Sequence, residues 1–532
     1  MLNKKIKFNL EARESILKGI NILSNSVKVT LGPQGNCVIL GEVDKQLRIT
    51  KDGVSIAKEI KLNDPFENVG AQLIREAAIK TLSSVGDATT TSTVLAQSLI
   101  NLSMKQIRKG KNSIKIKKGI EIGTNLAVNY IKDKTIKIKD SDIKNIATIS
   151  SNNDSEIGKL IGEAYNKIGR DGIITIENST NSSTSINVIS GMQFDRGYIS
   201  QHFVTDFIKD VCTLDNPYIL ITEYKINRMK DIAPILNEVV GEGRSILIMA
   251  EDFDSEVLET LKLNKLDGRL KVCLIKAPSF GEYRHEVLND IAILTGGTNV
   301  SYDSGIDLID VTTSLLGKCS KVIVNKQTTT IIGGKGDQKT LNDRVLQLKE
   351  QLKQQIKSAD QSDFITKFLK ERIAKLVGGI AVIYVGGTTE LEMGERKDRI
   401  EDAVYATKAA IEEGVVLGGG LTYYNASNFL KLCKNDDKEI ELGIRIVEKA
   451  LLEPFNTIVK NAGYNPKKLY NRLSETIGFD ANTEKFVNMY NEGIIDPAKA
   501  ARLALENSSS VTQSFISTEC VIVPEIVNQL VI

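Results

Sequence analysis

The residues Gly86-Asp87-Ala88-Thr89-Thr90-Thr91-Ser92-Thr93 run straight into an apolar helical pattern carried by Val94, Leu95, Leu99 and Ile100. Small residues let backbone approach an anion closely. The free N–H groups of a new helix point at that anion with the positive end of the dipole behind them. A carboxylate in such a seat repels a polyphosphate unless a hard cation lies between them. Asp87 therefore reads as a Mg²⁺ ligand, and Thr89, Thr90 and Thr91 as phosphate donors. An ordinary N-cap followed by a polar first turn fits the same residues. Two further elements favour the phosphate seat. The amphipathic run with Ile16, Ile20, Leu23 and Val27 on one face stops at Thr30-Leu31-Gly32-Pro33-Gln34-Gly35. Ile49-Thr50-Lys51-Asp52-Gly53-Val54 reads as a short strand meeting a turn, with Lys51 and Asp52 at its tip. Neither a G-x-x-x-x-G-K-[ST] run nor a persuasive G-x-G-x-x-G fingerprint is present, so the pattern is not that of a P-loop or Rossmann site.

The elements that must position these residues belong to a large chain. At 532 residues it exceeds one compact core, and two to four domains are expected. The 41% hydrophobic and 26% charged content, with no apolar run near membrane-spanning length, describes a soluble globular protein. Lys and Arg total 69 against 67 Asp and Glu, a net charge of +2. That balance is too even for an electrostatic nucleic-acid binder, and the basic runs Lys105–Lys118 and Lys132–Lys139 read as solvated faces. Six scattered cysteines without C-x-x-C spacing imply free thiols in a reducing compartment. Two histidines, His202 and His285, leave no material for a His-rich metal site or a Ser-His-Asp triad. Met1-Leu2-Asn3-Lys4-Lys5 opens without a signal or transit pattern, which makes cytoplasm the expected compartment.

The pattern is helical to about Lys132, apart from a strand pair near Cys37 to Ile49, and helical again from about Glu413. Between Gly191 and Gly379, short β-rich runs at Tyr218–Thr222, Ile246–Ala250, Leu270–Ile275 and Lys321–Asn325 alternate with helical patterns. Gly191 and the Gly378-Gly379 pair bracket this α/β middle at points where a hinge would need a permissive backbone. Leu341–Lys375 fits a long helical hairpin.

Several blocks together carry a resemblance. They are Thr30-Leu31-Gly32-Pro33, Thr50-Lys51-Asp52-Gly53-Val54-Ser55, Gly86-Asp87-Ala88-Thr89-Thr90-Thr91, Gly191-Met192-Gln193-Phe194-Asp195-Arg196-Gly197-Tyr198, Lys276-Ala277-Pro278, Glu401-Asp402-Ala403 and Glu412-Glu413-Gly414-Val415-Val416. In type, order and spacing, from about residue 3 to about residue 523, the chain resembles the group I chaperonins of the bacterial GroEL type. The resemblance implies a multidomain α and α/β chaperonin fold. Its parts would be a mainly helical equatorial domain (1–133 with 413–532), a small intermediate domain (134–190 with 380–412) and an α/β apical domain (191–379). It also implies an ATPase that folds proteins in the cytoplasm, using ATP and Mg²⁺ with K⁺ as an admissible second cation. The implied assembly is a homo-oligomeric heptameric ring, two rings back to back, with a GroES-type co-chaperonin lid and non-native polypeptides as clients.

By the same resemblance, Asp87 takes the metal, Asp402 activates water and Asp52 supports both. Thr30, Leu31, Gly32, Pro33 and Lys51 line the phosphates together with Ala88, Thr89, Thr90 and Thr91. Gly419 approaches the sugar, and Asp480, Ala481, Asn482 and Asp496 hold adenine and ribose. Clients meet an exposed apolar stripe of Tyr198, Phe203, Leu236, Leu258 and Leu263. Arg196 and Glu390 match a pair that joins apical and intermediate domains across subunits. The chain departs from the family pattern in several places. Ala88 stands for a usual Gly, which costs about 1 to 2 kcal/mol if its backbone is left-handed, and Asp480 stands for a usual Asn. His202, Ala233 and Lys262 narrow the groove, Lys262 biasing it toward acidic clients. Asn456 and Asn465 replace charged partners at the ring–ring seam, and the sequence ends at Asn528-Gln529-Leu530-Val531-Ile532 without Gly-Gly-Met repeats. The competing reading is a holdase that binds non-native chains with impaired ATP turnover.

Overall fold

The computed structural model describes residues 4–41, 48–151, 154–170, 172–179, 182–207, 209–357 and 363–524. Met1-Leu2-Asn3 and the 528–532 terminus lie outside them, as does the turn of the expected hairpin between 357 and 363. Two compact units form, one from residues 1–162 and 394–532 and the other from 163–393. The chain passes between them within α7 (Ser155–Ile168) and α13 (Glu390–Glu413).

The first unit is a helical stack. Its helices are α1 (Asn9–Lys28), α2 (Gly53–Glu59), α3 (Pro65–Val85), α4 (Thr89–Ile107), α5 (Ser113–Asp133), α6 (Asp140–Ser150), α14 (Leu421–Leu432), α15 (Lys438–Ala450), α16 (Glu453–Asn461), α17 (Pro466–Leu469) and α18 (Ala498–Ile516). Ile16, Ile20, Leu23 and Val27 are enclosed on one face of α1, as their spacing predicts. Each such burial contributes about 1.5 to 3 kcal/mol. Gly19 and Gly70 let α1 and α3 meet backbone to backbone, since a Cβ at Gly19 would fall 1.7 Å from the Glu67 carbonyl oxygen. Buried hydroxyls then lock α4 to α18. Ser508 Oγ donates to the Ser92 carbonyl at 2.7 Å, and Asn507 Nδ2 ties α18 to Thr81 of α3 at 3.0 Å. Four small ribbons complete the unit. β1 (Lys4–Phe8) pairs with β19 (Cys520–Pro524), and β2 (Val38–Leu40) with β3 (Arg48–Thr50), the strand pair expected near Cys37 to Ile49. β15 (Val415–Leu417) pairs with β18 (Ile495–Pro497), and β16 (Ile477–Asp480) with β17 (Lys485–Asn488), all antiparallel.

The second unit is α/β. Its main sheet runs β10 (Val272–Lys276), β9 (Ile246–Ala250), β8 (Tyr218–Thr222), β12 (Gly317–Val324), β13 (Thr329–Gly334), β6 (Gly191–Phe194). β11 (Asn299–Val300) lies beside β8 and β7 (Cys212–Asp215) beside β12. The parallel strands β8, β9 and β10 are apolar on both faces, as doubly covered strands must be. The helices here are α8 (Ala233–Gly241), α9 (Ser255–Leu266) and α10 (Gly281–Thr295), plus α11 (Gln338–Lys357) and α12 (Asp363–Gly378), which fall on the expected hairpin. Arg372 of α12 and Arg344 of α11 converge on Asp290 of α10, at 2.6 Å and 2.9 Å. A separate sheet places β14 (Ile380–Val385) between β4 (Ile173–Asn178) and β5 (Ser185–Ile189). Gly191 lies in a strand, where a Cβ would strike Ile380 at 2.4 Å, whereas Gly379 has φ +60°.

Candidate functional site

The site grows from the start of α4. Gly86 closes α3 with φ +69°, and Ala88 caps α4 with φ 63° and ψ 21° and no side-chain cap. The conditional cost of a methyl at residue 88 is therefore incurred, since its backbone is left-handed. Asp87 is not the N-cap: its Oδ1 accepts from the Ala88 N–H. That leaves its other oxygen, and the leading amides of α4, without the side-chain cap that a polar first turn would use.

Asp52 reaches the same place from another direction. It caps α2, accepting from the N–H groups of Val54 at 3.1 Å and Ser55 at 2.8 Å. Gly53 follows because a Cβ there would fall 2.4 Å from Thr90 Oγ1, so the α2 cap packs on the first turn of α4. Asp402 projects from α13, and Asp496 from β18, beside Gly418, at which a Cβ would lie 3.1 Å from its Oδ1.

Electrostatics tie these four carboxylates into one cluster. Burial, then the Asp52 charge, raises the Asp87 carboxyl above the usual range. Burial raises Asp402 well above it, helped by Asp87 and Asp52 and then by Asp398 and Glu401 on its own helix. Burial with the Asp87 charge pushes Asp496 up to about 7. Crowded carboxylates of this kind favour a bound proton or a hard cation. Among the described residues no three ligating side chains are grouped closely enough to hold a metal by themselves.

The other expected residues divide. Thr30 is buried, with its Oγ1 donating to the Val27 carbonyl at 2.9 Å, so that hydroxyl already has an acceptor. Gly32 has φ +88° and turns the loop away from α1, with Leu31 half-buried and Pro33 exposed beside it. Lys51 is exposed. Thr89 is buried, while Thr90 and Thr91 are half-buried in the first turn of α4. Gly419 (φ +61°) and Gly420 (φ +79°) form a left-handed pair, Gly419 facing Met489 and the Phe479 carbonyl. Asp480 is held by its own turn, accepting from Asn482 N–H at 2.8 Å and Thr483 Oγ1 at 2.5 Å. Ala481 directs its methyl into a small core with Phe455, Val459 and Phe479, so only its backbone is available to a ligand. Sequence reasoning missed Asn461, Ile458 and Tyr405. Ile458 packs on Gly32, Tyr405 lies against Gly86 so closely that a Cβ there would fall 2.2 Å from its own, and Asn461 braces the Lys28–Leu31 loop. An Asn near a helix end and an exposed Tyr carry no periodic signal that could have revealed them.

The expected client stripe needs correction. Phe203 has no exposed surface and Leu236 is 6% exposed, both within the core of the second unit. Phe203 lies in a 3-10 turn, Gln201–Phe203, that α9 clamps from outside: Lys265 Nζ donates to the carbonyls of His202 at 2.6 Å and Val204 at 2.8 Å. Tyr198 and Leu258 are half-buried against the same core. Burial and a hydrogen bond with Asp210 push the Tyr198 hydroxyl up to about 12. Leu263 is exposed as expected, and Leu266 on α9 and Val240 on α8 are exposed apolar residues of the same unit. Lys262 is largely covered and ion-paired with Glu259 at 2.6 Å, so its charge is not free to select acidic clients. Arg196 is exposed and lines a cavity of about 420 Å³ with Lys276, Phe280 and Arg284.

The sequence from 23 to 525 matches the model of the TCP-1/cpn60 chaperonin family, and the chain belongs to that family. Among solved structures it is similar to the chaperonin gp146 from bacteriophage EL 2 (Pseudomonas aeruginosa), crystallised in the presence of ATP-BeFx. The two share 22% identity with a TM-score of 0.71, over 99% of this chain and 100% of that one. The fold is accordingly the chaperonin fold, and the chain is a chaperone of a family whose members are ATPases.

Proposed function

We propose that the chain is an ATP-driven protein-folding chaperonin of the group I kind. It would work as a heptameric ring, two rings stacked, with a co-chaperonin lid, in the cytoplasm. The single observation supporting ATP turnover is the cluster of Asp52, Asp87, Asp402 and Asp496 around the uncapped start of α4, with three of the four carboxyls raised. In this reading Asp87, through the oxygen not engaged by Ala88, would hold Mg²⁺ together with phosphate oxygens. The ion supplies charge neutralisation on the transferred phosphate. The amides of the first α4 turn receive phosphate oxygens, with the Thr90 and Thr91 hydroxyls as further donors. Asp402 takes the proton of the attacking water, and Asp52 orients that water while fixing α2 against Thr90. K⁺ is an admissible second cation.

Asp402 lies in the same compact unit as Asp52, Asp87 and Asp496, and in the proposed three-part division it would belong to the intermediate domain. Clients would bind the apolar surface of Leu263, Leu266 and Val240, and the lid would compete for it. The ribbons β1–β19 and β2–β3 leave Ile6, Phe8, Ile522, Ile39 and Ile49 exposed, and such faces suit burial between neighbouring subunits in a ring. Steady-state ATPase measured on the purified chain tests the proposal. Mg²⁺-dependent turnover that increases folding yield supports it, and client capture without turnover would favour the holdase reading.

A further inference from the structure

The loop carrying Thr30, Leu31 and Gly32 is held from outside by one short helix. Asn461, the last residue of α16, donates its side-chain amide to the carbonyls of Lys28 at 3.0 Å, Val29 at 3.4 Å and Leu31 at 2.9 Å. Three residues earlier, the Ile458 side chain packs under Gly32, where a Cβ would stand 3.1 Å away. At its other end α16 meets the glycine pair. A Cβ at Gly420 would fall 2.7 Å from the Phe455 N, so no side chain fits between that turn and the helix. One helix of nine residues thus touches, from opposite ends, two loops that the chaperonin resemblance places on the nucleotide.

We infer that Asn461 is a positioning residue for the nucleotide, with α16 acting as a strut that fixes the Thr30–Gly32 loop relative to the Gly419-Gly420 turn. This rests on the nucleotide reading above. The physical reason lies in the α1 terminus. The last carbonyls of a helix have no partner within it and must find one outside. The Lys28 and Val29 carbonyls accept from the Leu31 and Asn36 N–H groups at 3.2 Å and 2.8 Å; the Asn461 amide adds a second donor to each and reaches the Leu31 carbonyl, which ties the path by which the chain leaves α1 to α16. Without that amide, the loop keeps its turn bonds from Thr30 and Leu31 to Val27 and Lys28 and the bond from Asn36 to Val29 but loses its tie to α16. It then samples orientations that present fewer groups to a phosphate, so part of the binding free energy goes into ordering it.

Asn461→Ala should weaken MgADP binding by about tenfold in calorimetric titration, the size expected for losing one net hydrogen bond's worth of order. At saturating ATP the turnover should stay within about twofold of the parent, because none of the four carboxylates is touched. The melting temperature of the nucleotide-free protein should change little. Should the alanine variant fail to fold, Asn461→Ser, which retains one donor, is held to the same criterion with a smaller loss. Asp87→Ala run in parallel separates the two readings. If Asp87→Ala abolishes Mg²⁺-dependent binding while the Asn461 variants bind MgADP like the parent, the strut is overturned and the nucleotide site stands. If Asp87→Ala leaves MgADP binding unchanged, the nucleotide reading itself fails. An Asn461 variant that loses turnover without losing affinity also overturns the positioning role.

Discussion

Asp402 and Asp87 are both carboxylates of the same cluster, yet their removal should act differently. Asp402→Ala should leave MgATP binding nearly intact and slow hydrolysis by roughly 10² to 10⁴, the range for loss of a positioned base. Equal losses of affinity and turnover in a binding assay paired with single-turnover kinetics would contradict that role. Ala88 offers a test in the opposite direction. Its left-handed backbone costs about 1 to 2 kcal/mol for an L-residue with a side chain. Ala88→Gly should therefore raise stability in a denaturant melt by about 1 kcal/mol, part of the strain relief being offset by the greater freedom of glycine in the unfolded chain. Proton linkage gives a third test. Burial, then the Asp87 charge, pushes the Asp496 carboxyl up to about 7 in the folded chain, against about 3.9 when unfolded. Its protonated form favours folding, so that contribution is whole below about pH 4 and is lost as pH rises toward 7. Asp496→Asn should flatten the fall in melting temperature of the nucleotide-free protein over this window. A fall as steep in the variant as in the parent would show that other groups carry it.

At the scale of elements, the helices of the second unit decide which apolar residues can meet a client. Leu263→Ser with Leu266→Ser should abolish capture of an unfolded protein in an aggregation-suppression assay and leave ATPase activity unchanged, because both leucines stand clear of the core. Leu236→Ser should instead destabilise the unit by a few kcal/mol, as burying a hydroxyl in place of a packed side chain does. If the α9 pair still captured clients like the parent, the binding face would lie elsewhere. Leu236 differs from the α9 leucines because it is packed within the core of the unit.

For the whole molecule, in the proposed assembly of two stacked rings, the expected weakness lies at the seam between them. Asn456 is already engaged within its own chain. Its amide donates to Glu453 at 3.2 Å and its carbonyl accepts from the Tyr470 hydroxyl at 2.5 Å, while Asn465 caps α17. Neutral side chains spent on internal bonds offer little to a second ring. In the proposed heptameric ring, seven-fold repetition would multiply even a few tenths of a kcal/mol per subunit into a large shift. Mass photometry over a dilution series should accordingly find single rings at nanomolar concentration. Double rings persisting with and without ATP would show that other contacts hold the seam.

What the sequence determined by itself was local or carried by long motifs. The 3.6-residue spacing of Ile16, Ile20, Leu23 and Val27 defined α1, β8 and β9 fell on their apolar runs, and the small-residue block at Gly86–Thr93 marked the start of α4. The family blocks were legible because close backbone approach and positive φ leave few residue choices, as at Gly32, Gly86 and Gly419. Tertiary structure alone decided the rest. Whether an apolar residue on an amphipathic helix faces core or solvent depends on what packs beside it, so Phe203 and Leu236 turned inward while Leu266 stayed out. Asn461 lies more than 400 residues from the carbonyls it braces. Local sequence holds no trace of such a contact, because only the packing of α16 against the end of α1 brings the donor to its acceptors.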